Sequence, residues 1–236
     1  MINKKRTVIL DTETTGISSI GLPHTNHRII EIGAVEMINR RFTGNNFHVY
    51  LKPNRSIESG ALKVHGITND FLSDKPIFKD IAIEFFNYIK NSEIVIHNAS
   101  FDLGFINQEF QMLNQNIKKI DVVCSIIDTL KIARTLFPGK KNTLDALCTR
   151  YKINKSHRNV HSAIIDAKLL GKLYLLMTSR QESLFFYDSF NNEKSFKKSD
   201  CLVKSKKYSL KILYASQEEL KLHKQYLEYI KNKNIC

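Results

Sequence analysis

The stretch TVILDTETTG, residues 7–16, decides how the rest of the chain is interpreted. Its first half, Thr7 to Leu10, is a short apolar run rich in β-formers, which predicts a buried strand. Asp11 and Glu13 follow with a spacing that places both side chains on one face of the strand. Two adjacent carboxylates repel each other and are costly to desolvate, and a divalent cation would compensate for both effects. The alternative is a solvated strand end that carries two incidental acids.

Strand and helix patterns are mixed through residue 178. Residues 29–38 and 42–51 indicate two strands joined by a hairpin, and residues 93–97 indicate another strand. Residues 122–130 fit a strand or a helix, and we favour a strand followed by a helix toward Phe137. Helical spacing of apolar residues marks four segments: 76–89, 101–113, 143–151 and 162–177. The sequence therefore predicts an α/β domain with a mixed sheet.

The pattern changes near Ser179. Residues 180–207 have no sustained apolar period and are predicted to form a flexible linker. In residues 208–236, Ser216 and Glu219 have the spacing of a helix capping box, and Leu220, Leu227 and Ile230 give the following helix an apolar stripe. We therefore expect a main domain over residues 1–179, a linker, and a C-terminal tail that becomes ordered on a partner or on the main domain.

Composition sets wider limits on function. The net charge is +13, divided as +8 in residues 1–179 and +5 in residues 180–236. This charge is compatible with nucleic-acid binding, although the 27 Lys, 28 Ile and 20 Asn suggest that AT-rich codon bias supplies part of it. No apolar run reaches the ~20 residues of a membrane span, and the start is too short for a signal peptide, so we expect a cytoplasmic protein. The four cysteines form no C-x-x-C pair and are expected to be free thiols.

Two further acids and one histidine are candidates for the same site as Asp11 and Glu13. Asp102 lies at the head of a helix directly after a strand, at the edge where open α/β sheets bind ligands, although the helix dipole also favours an acid there. Asp166 lies in an otherwise apolar helix, where it could instead mark the solvated stripe. His161 precedes Asp166 by five residues, or about 140° around a helix. The two side chains can converge only if His161 lies in the preceding loop or first turn, where its imidazole could act as a general base.

Four acids and one histidine suit phosphodiester hydrolysis by two divalent cations. One cation would activate water, and both would stabilise the charge that develops on the scissile phosphate. Hard carboxylate oxygens favour Mg²⁺ or Mn²⁺ as the cations. The chain contains neither the G-x-x-x-x-G-K-[ST] loop of nucleotide triphosphatases nor the G-x-G-x-x-G of dinucleotide-binding enzymes.

Three segments resemble the motifs of the DEDDh 3′→5′ exonucleases: residues 8–16 (VILDTETTG), residues 97–102 (HNASFD), and His161 with Asp166. Residues 29–36 (IIEIGAVE), 41–53 (RFTGNNFHVYLKP) and 137–140 (FPGK) narrow the resemblance to the proofreading exonucleases of bacterial replicases. The resemblance implies a ribonuclease H-like fold, with a mixed five-stranded sheet flanked by helices and a flexible C-terminal tail. It also implies a metal-dependent 3′→5′ exodeoxyribonuclease with two divalent cations, Mg²⁺ or Mn²⁺.

The resemblance also implies roles for individual residues. His161 would be the general base, and His65 would contact the terminal nucleotide. The substrate-contacting glutamate of the family falls at Gly60 here, while Glu58 is nearby but out of register. The two divalent cations would be held by Asp11, Glu13, Asp102 and Asp166. Asp11, Glu13 and Asp166 would also contact the substrate.

Partners follow from the same resemblance. They are DNA with single-stranded or frayed 3′ ends, the alpha subunit of DNA polymerase III and a sliding clamp. Whether a small theta-like subunit also binds is left open by the sequence. Four residues resemble a clamp-binding peptide, although Leu184 and Phe186 could instead pack on the main domain. These four residues are Gln181, Leu184, Phe185 and Phe186.

Two other functions remain open from the sequence. One is an RNA-trimming enzyme of the same class, and the other is a polymerase-binding scaffold without activity. The tail and the clamp-like peptide argue against the first. The presence of all five motif residues argues against the second.

Overall fold

A computed structural model describes residues 5–113, 119–155, 160–179 and 215–232, with side chains described through residue 229. The chain divides into two units, Met1–Ser183 and Leu184–Cys236. The strands described in the first unit are β1 (Arg6–Thr14), β2 (Ile29–Ile38), β3 (Arg41–Tyr50), β4 (Glu93–Ile96) and β5 (Ser125–Asp128). Its described helices are α1 (Ser59–His65), α2 (Asn69–Leu72), α3 (Phe78–Ile89), α4 (Ala99–Met112), α5 (Ile120–Val123), α6 (Thr129–Leu136), α7 (Leu144–Arg150) and α8 (Ala163–Met177).

The five strands form one sheet in the order β3-β2-β1-β4-β5. β1, β2 and β3 pair antiparallel, whereas β4 pairs parallel with β1 and β5 pairs parallel with β4. The predicted mixed five-stranded sheet is therefore confirmed. The expected hairpin is also present: Asn39 and Arg40 both have positive φ, as a two-residue turn of the primed type requires.

The region between residues 120 and 130 differs in part from the sequence prediction. A single helical turn, α5, comes first, and the strand is confined to Ser125–Asp128. Ile120 is fully buried in this turn, and β5 pairs with β4 through only four residues. α1 and α2 were also missed, because each is short and buries only one residue, His65 and Leu72 respectively.

Alternation along β1 divides the core between the two faces of the sheet. Val8 and Leu10 pack with Phe85 of α3 and Phe105 of α4. Ile9 packs on the other face, against residues of α8. Because side chains alternate along a strand, Asp11 and Glu13 continue the face of Ile9, and Thr12 continues the opposite face. The two acids are thus directed to the side of α8, and Thr12 to the side of α4.

α9 (Gln217–Asn232) is the described helix of the second unit. The predicted capping box is present: the Ser216 N–H donates to Glu219 Oε2 at 2.7 Å, and the Glu219 N–H donates to Ser216 Oγ at 3.2 Å. Leu220 and Leu227 of the predicted apolar stripe are exposed. The side chain of Ile230 lies outside the described part of the chain.

Two expectations from composition can be compared with the described residues. Cys124 and Cys148 are buried and form no disulfide with a described residue, as expected, whereas Cys201 and Cys236 lie outside the described ranges. Within the described ranges, no helix combines the length and the apolar character that crossing a bilayer requires.

Gly33 of β2 allows α8 to approach the sheet closely. It is the cross-strand partner of Asp11. A Cβ atom at this position would collide with the backbone of Ala163 and Ile164 at the start of α8. The absence of a side chain at Gly33 therefore lets the first turn of α8, which carries Asp166, lie directly beside the acidic end of β1.

We predict that Gly33→Ala lowers the free energy of unfolding by about 1–3 kcal/mol, because the added methyl group overpacks a contact with backbone atoms that cannot move alone. The measurement is equilibrium denaturant unfolding. Gly60→Ala is the matched control: nothing lies within 4 Å of a Cβ built there, so its stability should equal or slightly exceed that of the wild type. Equal stabilities for the two variants would contradict the close approach of α8.

Candidate active site

The acids of the first motif lie at the carboxyl end of β1, where the pairing with β2 shifts register between Glu13 and Thr14. Glu13 there meets one residue from the first turn of α8 and one from the loop before it. One ligand atom each from Glu13, His161 and Asp166 lie within 4.8 Å of one another. Carboxylate oxygens and an imidazole nitrogen at this separation are a suitable donor set for a divalent cation.

His161 reaches Asp166 from the loop that precedes α8. Its Nδ1 lies 3.2 Å from Asp166 Oδ2, and its side chain is 41% exposed. The backbone N–H of His161 donates to the carbonyl of Val64 at 3.2 Å, which ties the loop to the end of α1. The two residues therefore converge in the way that the sequence allowed, with His161 outside the helix.

Asp102 joins the site from the opposite face of the sheet. It lies in the first turn of α4, is 3% exposed, and accepts a hydrogen bond of 2.7 Å from Thr12 Oγ1. Desolvation raises the pKa of Asp102 to about 7, although the hydrogen bond from Thr12 opposes this shift. Thr12 lies between the two acids of β1 and ties this strand to Asp102. The sequence pattern did not identify it.

Asp11 is the residue at which the negative charges of the site converge. Desolvation raises its pKa well above the ordinary value, and the charges of Asp102, Glu13, Asp166 and Glu31 raise it further. Such a concentration of carboxyl groups is unfavourable without a compensating positive charge. The described residues therefore fit a site for divalent cations.

A cavity of about 320 Å³ opens beside these acids. His65 is almost fully buried in its wall, and burial lowers the pKa of this histidine. Its Nδ1 accepts the N–H of Ile67 at 3.0 Å, its Nε2 is buried, and the backbone of Thr14 partly opposes the lowering of its pKa. A neutral imidazole whose Nδ1 accepts in this way carries its proton on Nε2. The cavity is lined by Thr12, Glu13, Thr14, Gly16, Ile17, Glu58, Gly60, Ala61, Val64, His65 and Phe101.

Glu58 extends a carboxylate into the wall of the same cavity. Its backbone N–H donates to the carbonyl of Thr15 at 2.9 Å, and its side chain lies against Gly16. Arg55 Nη2 lies 3.2 Å from Glu58 Oε1. The cavity therefore contains a glutamate side chain from position 58, although position 60 is a glycine.

A second cavity, of about 610 Å³, lies at the carboxyl ends of β4 and β5. Arg134 and Lys140 bring two positive charges to it. The loop that carries Lys140 is held by Arg150, which lies 4.3 Å from the centroid of the Phe137 ring and donates to Asn142 Oδ1 and to the Lys141 carbonyl. The sequence did not predict this cavity, because its walls come from separate segments of the chain. In the sequence, residues 137–140 stand out only as part of the family resemblance. The lining residues are His97, Asn98, Leu130, Arg134, Gly139, Lys140, Asn142, Thr143 and Leu144.

Glu31 is the other site-adjacent residue that sequence reasoning missed. It lies in β2 as the cross-strand partner of Glu13 and is fully buried. The signal was present, since Glu31 is an acid within the otherwise apolar run Ile29–Ala34. The remaining expected site residues, Gln181, Leu184, Phe185 and Phe186, lie outside the described residues.

Comparison with known proteins gives three results. A family model described as Exonuclease matches residues 8–174. DNA polymerase III subunit epsilon of Buchnera aphidicola subsp. Acyrthosiphon pisum is 69% identical, with 100% of this chain and 99% of the relative covered. The subunit of the same name from Escherichia coli K12 is 46% identical, covering 97% and 94% of the two chains. Among solved structures, exonuclease X in complex with 5′ overhanging duplex DNA matches with 28% identity and a TM-score of 0.56, covering 72% of this chain and 90% of that one.

We predict that, without divalent cations, Asp11 and Asp102 give the unfolding temperature a falling slope as pH rises from about 5 to 8, against the rising slope from His27, His65 and His97, whose pKa values are lowered by burial. The folded-state pKa values of Asp11 and Asp102 are raised, so their contribution to stability is present near the unfolded pKa of 3.8 and is lost as pH passes the folded values, about 7 for Asp102. Thermal unfolding at several pH values measures this slope, and added Mg²⁺ should reduce it.

Asp102→Asn should shift the slope toward higher unfolding temperatures at high pH relative to the wild type, because the variant cannot titrate at this position. The exposed Asp121 provides a matched control, and Asp121→Asn should keep the wild-type slope. A wild-type slope in Asp102→Asn would contradict the account of the buried acids.

Proposed function

Because the chain belongs to the family of DNA polymerase III epsilon subunits, within the exonucleases, we propose that it removes mispaired 3′-terminal deoxynucleotides as 5′-monophosphates inside the replicase core. It is a proofreading 3′→5′ exonuclease, and its chemistry depends on divalent cations. The observation that carries the proposal is the set of carboxyl groups around Asp11, placed beside a cavity that can take one nucleotide.

We assign two cations, Mg²⁺ or Mn²⁺, to Asp11, Glu13, Asp102 and Asp166. When bound, divalent cations supply positive charge that lowers the pKa of water and stabilises the charge on the scissile phosphate. The protein contributes the carboxylates at fixed positions: two from β1, one from the first turn of α4 and one from the first turn of α8. The support is the proximity of Glu13 to Asp166, the charges of Asp102, Glu13 and Asp166 that act on Asp11, and the raised pKa values of Asp11 and Asp102.

His161 is proposed as the general base. When its Nδ1–H donates to Asp166 Oδ2, the lone pair lies on Nε2, which can accept a proton from the attacking water. Asp166 would thus have a second role, which is to select the tautomer and orientation of the ring. The loop position of His161 leaves its ring partly exposed, as access to water requires.

The cavity beside the acids is proposed to hold the terminal nucleotide. Phe101 and Ile17 give it apolar walls against which a base can pack. His65 would contact the nucleotide from the cavity wall, and Glu58 would provide the acceptor that is absent at Gly60. A frayed terminus enters such a cavity more readily than a paired one, because leaving the duplex costs base-pairing and stacking energy.

The single-stranded DNA that leads to the terminal nucleotide is proposed to pass along the second cavity. Arg134 and Lys140 lie there at the same edge of the sheet as the acids, next to the start of α4. β1, β4 and β5 are adjacent, so the two cavities are separated by roughly two strand spacings, or about 10 Å. The positively charged side chains of Arg134 and Lys140, at this distance from the acids, are suited to contact phosphates of the incoming single-stranded DNA.

The tail is proposed to bind the alpha subunit of the polymerase. Five apolar or aromatic side chains of α9 are exposed, Leu220 and Leu227 on one face and Leu222, Tyr226 and Tyr229 on the opposite face, and a partner could cover either face. Residues 1–179 would then be the exonuclease domain, 180–207 a linker and 208–236 the polymerase-binding tail. The clamp would bind the peptide around Gln181, and a theta-like subunit remains an additional candidate partner. Such an assembly places the chain in the cytoplasm with the replisome.

The proposed function predicts Mg²⁺-dependent degradation of 5′-labelled single-stranded DNA from its 3′ end, one nucleotide at a time. Asp11→Ala should lower the rate by at least about 10³-fold, because it removes a carboxylate from the centre of the site. Asp121→Ala provides a control on an exposed acid. An RNA strand of the same sequence should be degraded more slowly. Preference for RNA, or undiminished activity of Asp11→Ala, would contradict the proposal.

We predict that Arg134→Gln combined with Lys140→Gln raises KM about 5–10-fold for a ten-nucleotide single-stranded DNA, since about two phosphate contacts are lost. Hydrolysis of thymidine 5′-p-nitrophenyl phosphate should change little, because this substrate has no preceding strand. Lys79→Gln, at an exposed lysine of α3, is the matched control. An equal effect on the KM of both substrates would show that Arg134 and Lys140 do not act only on the DNA that precedes the terminal nucleotide.

A further inference from the structure

Glu31 is a buried carboxylate directly behind the acid cluster. It is 0% exposed and lies opposite Glu13 in the pairing of β1 with β2. One of its oxygens, Oε2, has no hydrogen-bond partner among the described residues. Burying a carboxylate with an unsatisfied oxygen is unfavourable, and an apolar side chain in the same strand would be cheaper. Stability alone therefore does not explain a glutamate at this position.

The other oxygen of Glu31 is held by two donors. Oε1 accepts from Ser162 Oγ at 2.8 Å and lies 2.8 Å from His48 Nε2. Tyr50 joins the same group: burial and then the charge of Glu31 raise the pKa of its phenol, which also has side-chain hydrogen bonds with Ser162 and Glu31. The contacts connect β2 and β3 to the residue that immediately follows His161 in the chain.

Ser162 has an unusual role for a helix N-cap. Serine is favoured at this position because its hydroxyl usually accepts an N–H from the first turn. At α8, Ser162 makes no such side-chain cap bond. Its hydroxyl donates to Glu31 instead, while its carbonyl accepts the N–H of Asp166 at 2.9 Å. The start of α8 is therefore tied to the sheet through the Ser162 side chain.

We infer that Glu31, His48 and Ser162 form a positioning cluster that fixes the start of α8 and, through it, His161 and Asp166. This inference rests on the proposed function, in which those two residues act. Ser162 is covalently joined to His161 and is hydrogen-bonded through its backbone to Asp166. Release of its hydroxyl lets both side chains shift, and a displacement of about 1 Å can cost about 10²-fold in rate.

The test compares Ser162→Ala with Ser162→Thr and with Ser179→Ala. Ser179 is the matched control, because its hydroxyl also makes one hydrogen bond, to the Leu176 carbonyl at 2.7 Å, at the other end of α8. For single-stranded DNA, Ser162→Ala should lower kcat about tenfold with KM changed less than about twofold, because one hydrogen bond to a charged group is lost. Ser162→Thr should keep most of kcat, and Ser179→Ala should keep all of it.

Amide hydrogen exchange provides a readout that does not depend on activity. The Asp166 amide should exchange several-fold faster in Ser162→Ala than in the wild type, and at the wild-type rate in Ser179→Ala. Glu31→Gln combined with Ser162→Ala should lower kcat by less than the product of the two single effects, because both changes break the same contact.

Three results would overturn the inference: wild-type kcat in Ser162→Ala, unchanged exchange of the Asp166 amide, or an equal loss of kcat in Ser179→Ala. The proposed function fails separately, if the wild-type chain shows no Mg²⁺-dependent removal of 3′ nucleotides. The exchange measurement still decides whether Ser162 fixes the start of α8 in that case.

Discussion

Repulsion among carboxyl groups at the end of β1 is the constraint on which the rest of the site depends. Asp11 lies among the charges of Asp102, Glu13, Asp166 and Glu31, and its pKa is raised well above the ordinary value. A fold that holds these groups together in a desolvated place loses stability unless cations neutralise them. The same arrangement makes the site suitable for hydrolysis of a phosphodiester, because cations drawn to the acids can also act on the phosphate.

The sheet brings the acids together through the alternation of one strand. Side chains of β1 point in turn to α8 and to α4, so Glu13 meets Asp166 on one side while Thr12 holds Asp102 on the other. Gly33 allows α8 to approach closely enough, and the Glu31 cluster ties the beginning of that helix to the sheet. The elements of the fold that matter most for function are therefore those that fix the first turn of α8.

Much of this arrangement could be predicted from the sequence, because it follows from local patterns. The apolar run before Asp11 gave β1, and apolar spacing gave the long helices α3, α4 and α8. The angle between His161 and Asp166 around a helix showed that the histidine had to lie in the loop. α1, α2 and the short β5 were missed or misjudged, since elements of four to seven residues contain too little periodicity.

Other features could not be obtained from the sequence because they depend on long-range proximity. Glu31 and Ser162 are 131 residues apart, and no spacing rule connects them. The walls of the second cavity come from the end of β4, from α6 and from the loop before α7. Glu58 could be noticed only as a neighbour of the unexpected Gly60, and its place in the cavity wall required the turn of the chain around Gly16.

The most direct test of the central claim is a titration of the chain with Mn²⁺ followed by electron paramagnetic resonance. If the acid cluster is the cation site, the wild type should bind two Mn²⁺ ions saturably in the presence of a nucleoside 5′-monophosphate, and Asp166→Asn should weaken this binding at least about tenfold, as loss of a charged ligand predicts. Identical binding by the wild type and Asp166→Asn would show that the cations lie elsewhere and would contradict the account.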